Sequence, residues 1–281
     1  MGKKSRRGVF KSLLKSPLAS FGLIIVLLLI FCAIFADVIT PYSYSRQNLR
    51  NSFQSPSAEH WFGTDEFGRD IFSRVVYGAR ISLFVGFIAV GIAIFLGGGL
   101  GAVAGYYGGW LDNLIMRFMD ILLSIPSTVL AISIAAALGP GLYNLMIAVG
   151  IASTPAYARV MRGSVLSIRG EEFVEAAGAV GASDLRIILR HIIPNCMAPV
   201  IVQSTLGVAN AILAAAALSF IGLGIQPPVP EWGAMLAGAR AYIRDYAYMM
   251  LFPGLAIMIT ILALNFLGDG LRDALDAKLK R

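Results

Sequence analysis

The sequence predicts an all-α polytopic membrane protein with six transmembrane helices, on three observations. First, the chain is 57% hydrophobic and only 14% charged, with a mean hydropathy of +0.75. A soluble domain carries about 25% charged residues. Second, uncharged runs occur at 18–36, 81–111, 121–158, 192–230 and 246–268. A helix needs about 20 apolar residues to cross a bilayer core. Third, all six lysines lie at the chain ends: Lys3, Lys4, Lys11, Lys15, Lys278 and Lys280. The net charge of +7 is therefore a membrane-topology signal. It is not a basic stripe for nucleic acid.

The first span follows a basic tail. Its apolar core, Leu18 to Ala36, is longer than a signal-peptide core and precedes no convincing cleavage site, so it reads as uncleaved. An outer loop of 44 residues, Asp37 to Arg80, comes next. Near its end Ile71, Phe72, Val75, Val76 and Ala79 recur at helical spacing, with Arg69, Asp70, Arg74 and Arg80 around them. This predicts a short amphipathic helix at the outer surface that caps the bundle. The second span carries Gly97, Gly101, Gly105 and Gly109, a ladder that suits close helix packing. The long third run breaks at Leu138-Gly139-Pro140-Gly141, giving spans near 115–138 and 142–161. Arg117 and Asp120, three apart, are expected to pair locally. Spans at 192–230 and 246–268 complete the six. Two units follow: 1–80 with tail, first span and outer loop, and 81–281 as a five-span core with a polar loop near 162–196.

With the N-terminus inside, inside segments hold sixteen of the 23 Lys and Arg, and outside loops hold seven. The positive-inside bias then puts both termini and the 162–196 loop in the cytoplasm. Cys32 and Cys196 fall at opposite ends of their spans, too far apart for a disulfide.

Catalytic motifs are absent. Gly-Lys occurs only at Gly2-Lys3, so there is no phosphate loop. Two histidines and two cysteines far apart make no zinc pattern. The chain is thus not expected to be an enzyme or to hold a cofactor. Polar residues inside spans offer the only translocation path, and Gln203 and Asn210, seven apart, share a face. Such side chains more often join helices than touch substrate. Pro126, Pro155 and Pro253 are candidate kinks.

The most specific stretch is Glu175-Ala176-Ala177-Gly178-Ala179-Val180-Gly181, which continues to Asn195. Six of the seven residues from Ala176 to Ala182 are Ala or Gly, flanked by Arg169, Glu171, Glu172, Asp184, Arg186, Arg190 and His191. A short polar helix with a bare face suits docking into a partner's groove. Here the chain resembles the permease subunits of binding-protein-dependent ABC importers, whose mark is E-A-A-x3-G-x9-I-x-L-P. Glu175, Ala176, Ala177, Gly181 and Pro194 fall at that spacing, while His191 replaces the Ile and Ile193 the Leu. Gly63 to Asp70, within His60-Trp61-Phe62-Gly63-Thr64-Asp65-Glu66-Phe67-Gly68-Arg69-Asp70, is similar to the dipeptide/oligopeptide C type.

The resemblance implies a type I ABC importer permease fold in the inner membrane of a prokaryote and uptake of di- or oligopeptides. It implies a related B-type permease, two cytoplasmic ATPase subunits that bind ATP and Mg, and an extracytoplasmic binding protein. It places docking on Glu171, Glu172, Glu175, Ala176, Ala177, Gly178, Gly181, Ala182, Ser183, Asp184 and Arg186. A nickel or metal-chelate importer shares these motifs. An ion-coupled secondary transporter would need buried carboxylates at mid-membrane, and the uncharged runs have none. A scaffold without transport would leave the docking loop unexplained.

Overall fold

The computed structural model describes residues 13–279, with side chains to residue 275. Every long element among them is a helix, in the order α1 Pro17–Ile34, α2 Ile71–Ala93, α3 Gly99–Tyr107, α4 Gly109–Ser124, α5 Ser127–Leu138, α6 Leu142–Ile168, α7 Glu172–Ala179, α8 Asp184–Ile187, α9 Ile193–Phe220, α10 Trp232–Ala239 and α11 Tyr248–Leu279. One wide π turn, Ile94–Gly98, joins α2 to α3, and another, Ile188–Ile192, joins α8 to α9.

The helix starts obey local chemistry. Ser16 caps α1 by accepting from the Ala19 amide, with Pro17 at the first position. Asp70 caps α2, taking the Ser73 amide at 2.7 Å. Glu231, only 1% exposed, caps α10 through the Gly233 and Ala234 amides at 3.0 and 2.9 Å.

Four helical stretches are long and apolar enough to cross a membrane, and the bent pair α4–α5 makes five. By length α6 can be a sixth, since its 27 residues rise about 40 Å. Six is an approximate count, and its boundaries need correcting. The surface helix expected before residue 81 is not separate, because α2 begins at Ile71 and runs on. No helix breaker intervenes, and Arg74 is satisfied by the Tyr44 and Pro228 carbonyls at 3.1 and 3.3 Å. The third span bends by 90° at Ile125–Pro126. Pro126 forces Ile125 into an extended conformation (φ −94°, ψ 129°). The expected Arg117–Asp120 pair does not carry Asp120. Its carboxylate instead takes Arg159 of α6 at 2.6 Å, a partner that local spacing could not reveal.

Small residues hold the bundle together. A side-chain carbon on Gly97 would sit 2.3 Å from the Thr154 carbonyl oxygen. On Gly101 it would sit 2.2 Å from that of Ala158, and on Gly105 it would sit 2.8 Å from Val165 Cβ. The ladder therefore packs α3 onto α6, as expected for close packing, except that Gly109 meets nothing. The long loop after α1 is folded rather than loose. Its Asp65 carboxylate takes Arg69 Nε at 2.6 Å, His60 Nδ1 lies 2.9 Å from Asp70, and Tyr248 of α11 donates to the Thr64 carbonyl at 3.1 Å. Burial pushes the Glu66 carboxyl upward.

Candidate docking site

The ends of α3 and α6 and the start of α8 lie together, since Arg169 reaches Gly105 and Asp184 reaches Tyr106, and α7 connects α6 to α8 there. Its sequence explains its pose. Val174 and Ala177, one turn apart, are buried at 6% and 8% exposure and join the main core with Ile187, Ile188 and Ile192. The opposite side is bare: Glu171, Glu172, Glu175, Ala176, Gly178, Gly181, Ser183, Asp184 and Arg186 are exposed, and Ala182 is half-buried. Thus ten of the eleven expected docking residues lie at or near the surface, and Ala177 faces inward instead. The three glutamates sit at the helix start, where the backbone amides favour negative charge.

The helix ends in a closed double-bonded cap. The Ala182 amide donates to the Ala177 carbonyl at 3.1 Å and the Gly181 amide to the Gly178 carbonyl at 2.9 Å. This turn needs a left-handed residue, and Gly181 has φ +82°. A side chain there would meet nothing within 4 Å, so within this chain the requirement is one of conformation rather than space.

Sequence reasoning missed the apolar part of this face. Val180 is 83% exposed and Leu185 67%, on either side of the Gly181 turn. The available signal was an apolar residue off the inward Val174–Ala177 stripe. It also missed the anchors. Arg162 of α6 grips Asp112 of α4 with two bonds, 2.5 and 2.6 Å, and Arg169 donates to the Gly105 carbonyl at 3.2 Å. Tyr106 donates its hydroxyl to Asp184 at 2.9 Å.

The pathway residues are not brought together. Gln203 lines a cavity of about 300 Å³ between α6, α9 and α11, with Val160, Val202, Leu206 and Arg272. Asn210 is exposed and does not line it. Several other intramembrane hydroxyls are satisfied by their own helix: Ser153 on Val149, Thr154 on Gly150, Ser204 on Val200 and Thr205 on Ile201.

The family described as the binding-protein-dependent transport system inner membrane component matches residues 97–281. The N-terminal transmembrane domain of oligopeptide transport permease C matches residues 6–56. The dipeptide transport system permease protein DppC of Alkalihalophilus pseudofirmus is 55% identical, over 98% of this chain and 90% of its own. The glutathione transport system permease protein GsiD of Escherichia coli O6:K15:H31 is 50% identical over 95% of this chain and 88% of its own. The di/tripeptide transport system permease protein DppC of Pseudomonas aeruginosa is 49% identical over 92% and 88%. Among solved structures, an inward-facing MetNI methionine ABC transporter chain matches with TM-score 0.58 at 19% identity, covering 72% of this chain and 96% of that one. The chain belongs to the inner-membrane permease family of binding-protein-dependent transport systems, and its fold is that of type I ABC importer permeases.

Proposed function

We propose that this chain is one permease half of an ATP-driven importer of small peptides, with α7 as the element that docks its ATPase. The relatives named above carry dipeptides, di/tripeptides and glutathione, which is itself a tripeptide. Those cargoes favour peptides over a metal chelate. A related B-type permease completes the pathway. Two cytoplasmic ATPase subunits bind ATP and Mg, and an extracytoplasmic binding protein delivers the peptide. Both termini and α7 then face the cytoplasm.

The observation that carries this reading is a preformed helix and turn whose exposed side sets apolar Val180 and Leu185 beside the acidic side chains of α7. Burying Val180 or Leu185 in a groove is worth about 1.5–3 kcal/mol each. An exposed ion pair from Glu175 is worth about 0–1 kcal/mol. Apolar contact therefore dominates the affinity, and the glutamates orient. When the ATPases close on ATP, α7 moves with them, and the spans exchange inward and outward openings. This chain transmits the motion and walls the channel, while hydrolysis belongs to the partners.

Purification tests the division of labour. The isolated chain should hydrolyse no ATP, and hydrolysis should appear on adding the ATPase subunits. Val180→Ser/Leu185→Ser should lose those subunits more readily than Glu175→Gln. Sustained turnover by the isolated chain, or full association of the double serine variant, would refute the assignment.

A further inference from the structure

We infer that α3 is the receiver of docking-helix motion, and that Tyr106 and Arg169 are the positioning residues that clamp α7 to it. The inference rests on the proposed docking role of α7.

The docking segment stands on two feet. Before α7, Arg169 Nη1 donates to the Gly105 carbonyl at 3.2 Å. After it, Asp184 Oδ1 accepts from the Tyr106 hydroxyl at 2.9 Å. Arg169 and Asp184 bracket α7 in the chain, and they land on adjacent residues of one helix end. The chemistry suits that end. Carbonyls in the last turn of a helix lack intrahelical donors, and a cation there also meets the negative end of the helix dipole. Tyr106 is half-buried and packs edge-on against Tyr107 at 5.1 Å, which fixes where its hydroxyl points.

Besides this clamp, α7 meets the bundle through its buried Val174 and Ala177, which rest on Ile187, Ile188 and Ile192, and through its covalent neighbours. One of those links is weak: Gly170 lies between Arg169 and α7, and nothing surrounds its missing side chain. The clamp bypasses it. What the clamp holds is stiff. From Ile71 to Tyr107 the chain is one helical rod of 37 residues, about 55 Å long at 1.5 Å per residue. Gly97, Gly101 and Gly105 lock the lower part of that rod against α6 backbone and side chains. At its far end Arg74 holds the Tyr44 and Pro228 carbonyls, and Trp232 Nε1 donates to the Val75 carbonyl at 3.0 Å. A displacement delivered at Gly105 and Tyr106 thus reaches the opposite pole through one element, with no loop in between.

The test uses the complete transporter in proteoliposomes, reading ATPase association, ATP hydrolysis and uptake of a labelled dipeptide. Tyr107 lies near enough to Asp184 to take over the bond, so the variant is Tyr106→Phe/Tyr107→Phe, which keeps both rings. ATPase association should match the parent, while peptide taken up per ATP hydrolysed falls about fivefold, the effect of one lost hydrogen bond. Arg169→Gln should lower the ratio by removing the other foot. An unchanged ratio in the double Phe variant overturns the clamp and leaves the docking reading standing. Loss of ATPase association in that variant also overturns it, since the tyrosines would then serve docking itself. If the parent chain binds no ATPase, the docking reading fails, and the clamp fails with it.

Discussion

Replacing Gly181 with alanine isolates the conformational demand of the docking turn. The site is open, with nothing within 4 Å of an added side-chain carbon, so the cost is backbone strain alone. At φ +82° that strain is about 1–2 kcal/mol for an ordinary L residue. The two cap bonds it opposes, Ala182 to Ala177 and Gly181 to Gly178, contribute about 0.5–1.5 kcal/mol each. Strain and cap are thus nearly equal, and Gly181→Ala should leave the turn open much of the time. With it goes the relative placement of Val180 and Leu185, which flank the turn. Asparagine visits left-handed backbone far more readily, so Gly181→Asn should keep the cap. Gly181→Trp adds bulk on the exposed face to the same strain. The assay is co-purification of the ATPase subunits together with uptake of a labelled peptide. The expected order is parent, then Asn, then Ala, then Trp, with Glu175→Gln near the parent because its ion pair is exposed. An alanine variant equal to the parent in both readouts would refute the argument that this turn shapes the docking face. An asparagine variant as poor as tryptophan would show that side-chain size, not conformation, sets the loss.

Three further outcomes follow from the bundle. Gly101→Val should cost about 1–3 kcal/mol by forcing α3 off the Ala158 backbone, read as a lower Tm in detergent, whereas Gly99→Ala, with open space around it, should be neutral or slightly stabilising; equal Tm values would contradict the close approach. Asp112→Asn breaks the two-bonded pair with Arg162 and should cost about 1–2 kcal/mol, since Arg162 is a third exposed; a double-mutant cycle with Arg162→Gln showing no coupling would refute it. The Tyr77 hydroxyl and then Arg80 hold the Asp37 carboxyl below its ordinary value, so this group stabilises the fold above about pH 4 and loses that contribution as pH falls through the lower folded pKa; the Tm advantage of the parent over Asp37→Asn should vanish in acid, and one that persists there would overturn the assignment.

Much of the fold was legible because the signals were local. Uncharged runs located the helices, Gly139-Pro140-Gly141 located a reversal, and the glycine ladder located a tight interface. Two of the errors share one cause. Where a charged residue ends a run, the sequence cannot say whether the helix stops or the charge finds a partner. Arg74 and Arg80 suggested that a span starts at residue 81. In fact Arg74 is met by carbonyls from residues 44 and 228, and Arg80 by the Ala33 carbonyl at 2.7 Å and Asp37 at 3.0 Å. Asp120 was given its sequence neighbour Arg117, but a helix from elsewhere in the chain supplied Arg159. Long-range partners of this kind leave no periodic trace.

The docking loop shows the same division in finer detail. Glu175, Ala176, Ala177 and Gly181 could be matched to the motif from the sequence, and the structure adds that Gly181 is left-handed. Spacing could not tell which alanine faces in. Ala177 and Val174 point to the core because Ile187, Ile188 and Ile192 stand beneath them, contributed by the segment after the turn. A helix this short is marginal alone, since nucleation costs more than eight residues return. Its order comes from that buried pair, the cap at Gly181 and the two feet on α3. The same contacts that make the helix exist also make it stiffly attached. A docking element held only by its covalent ends would absorb a partner's movement, whereas one packed on the core passes it on.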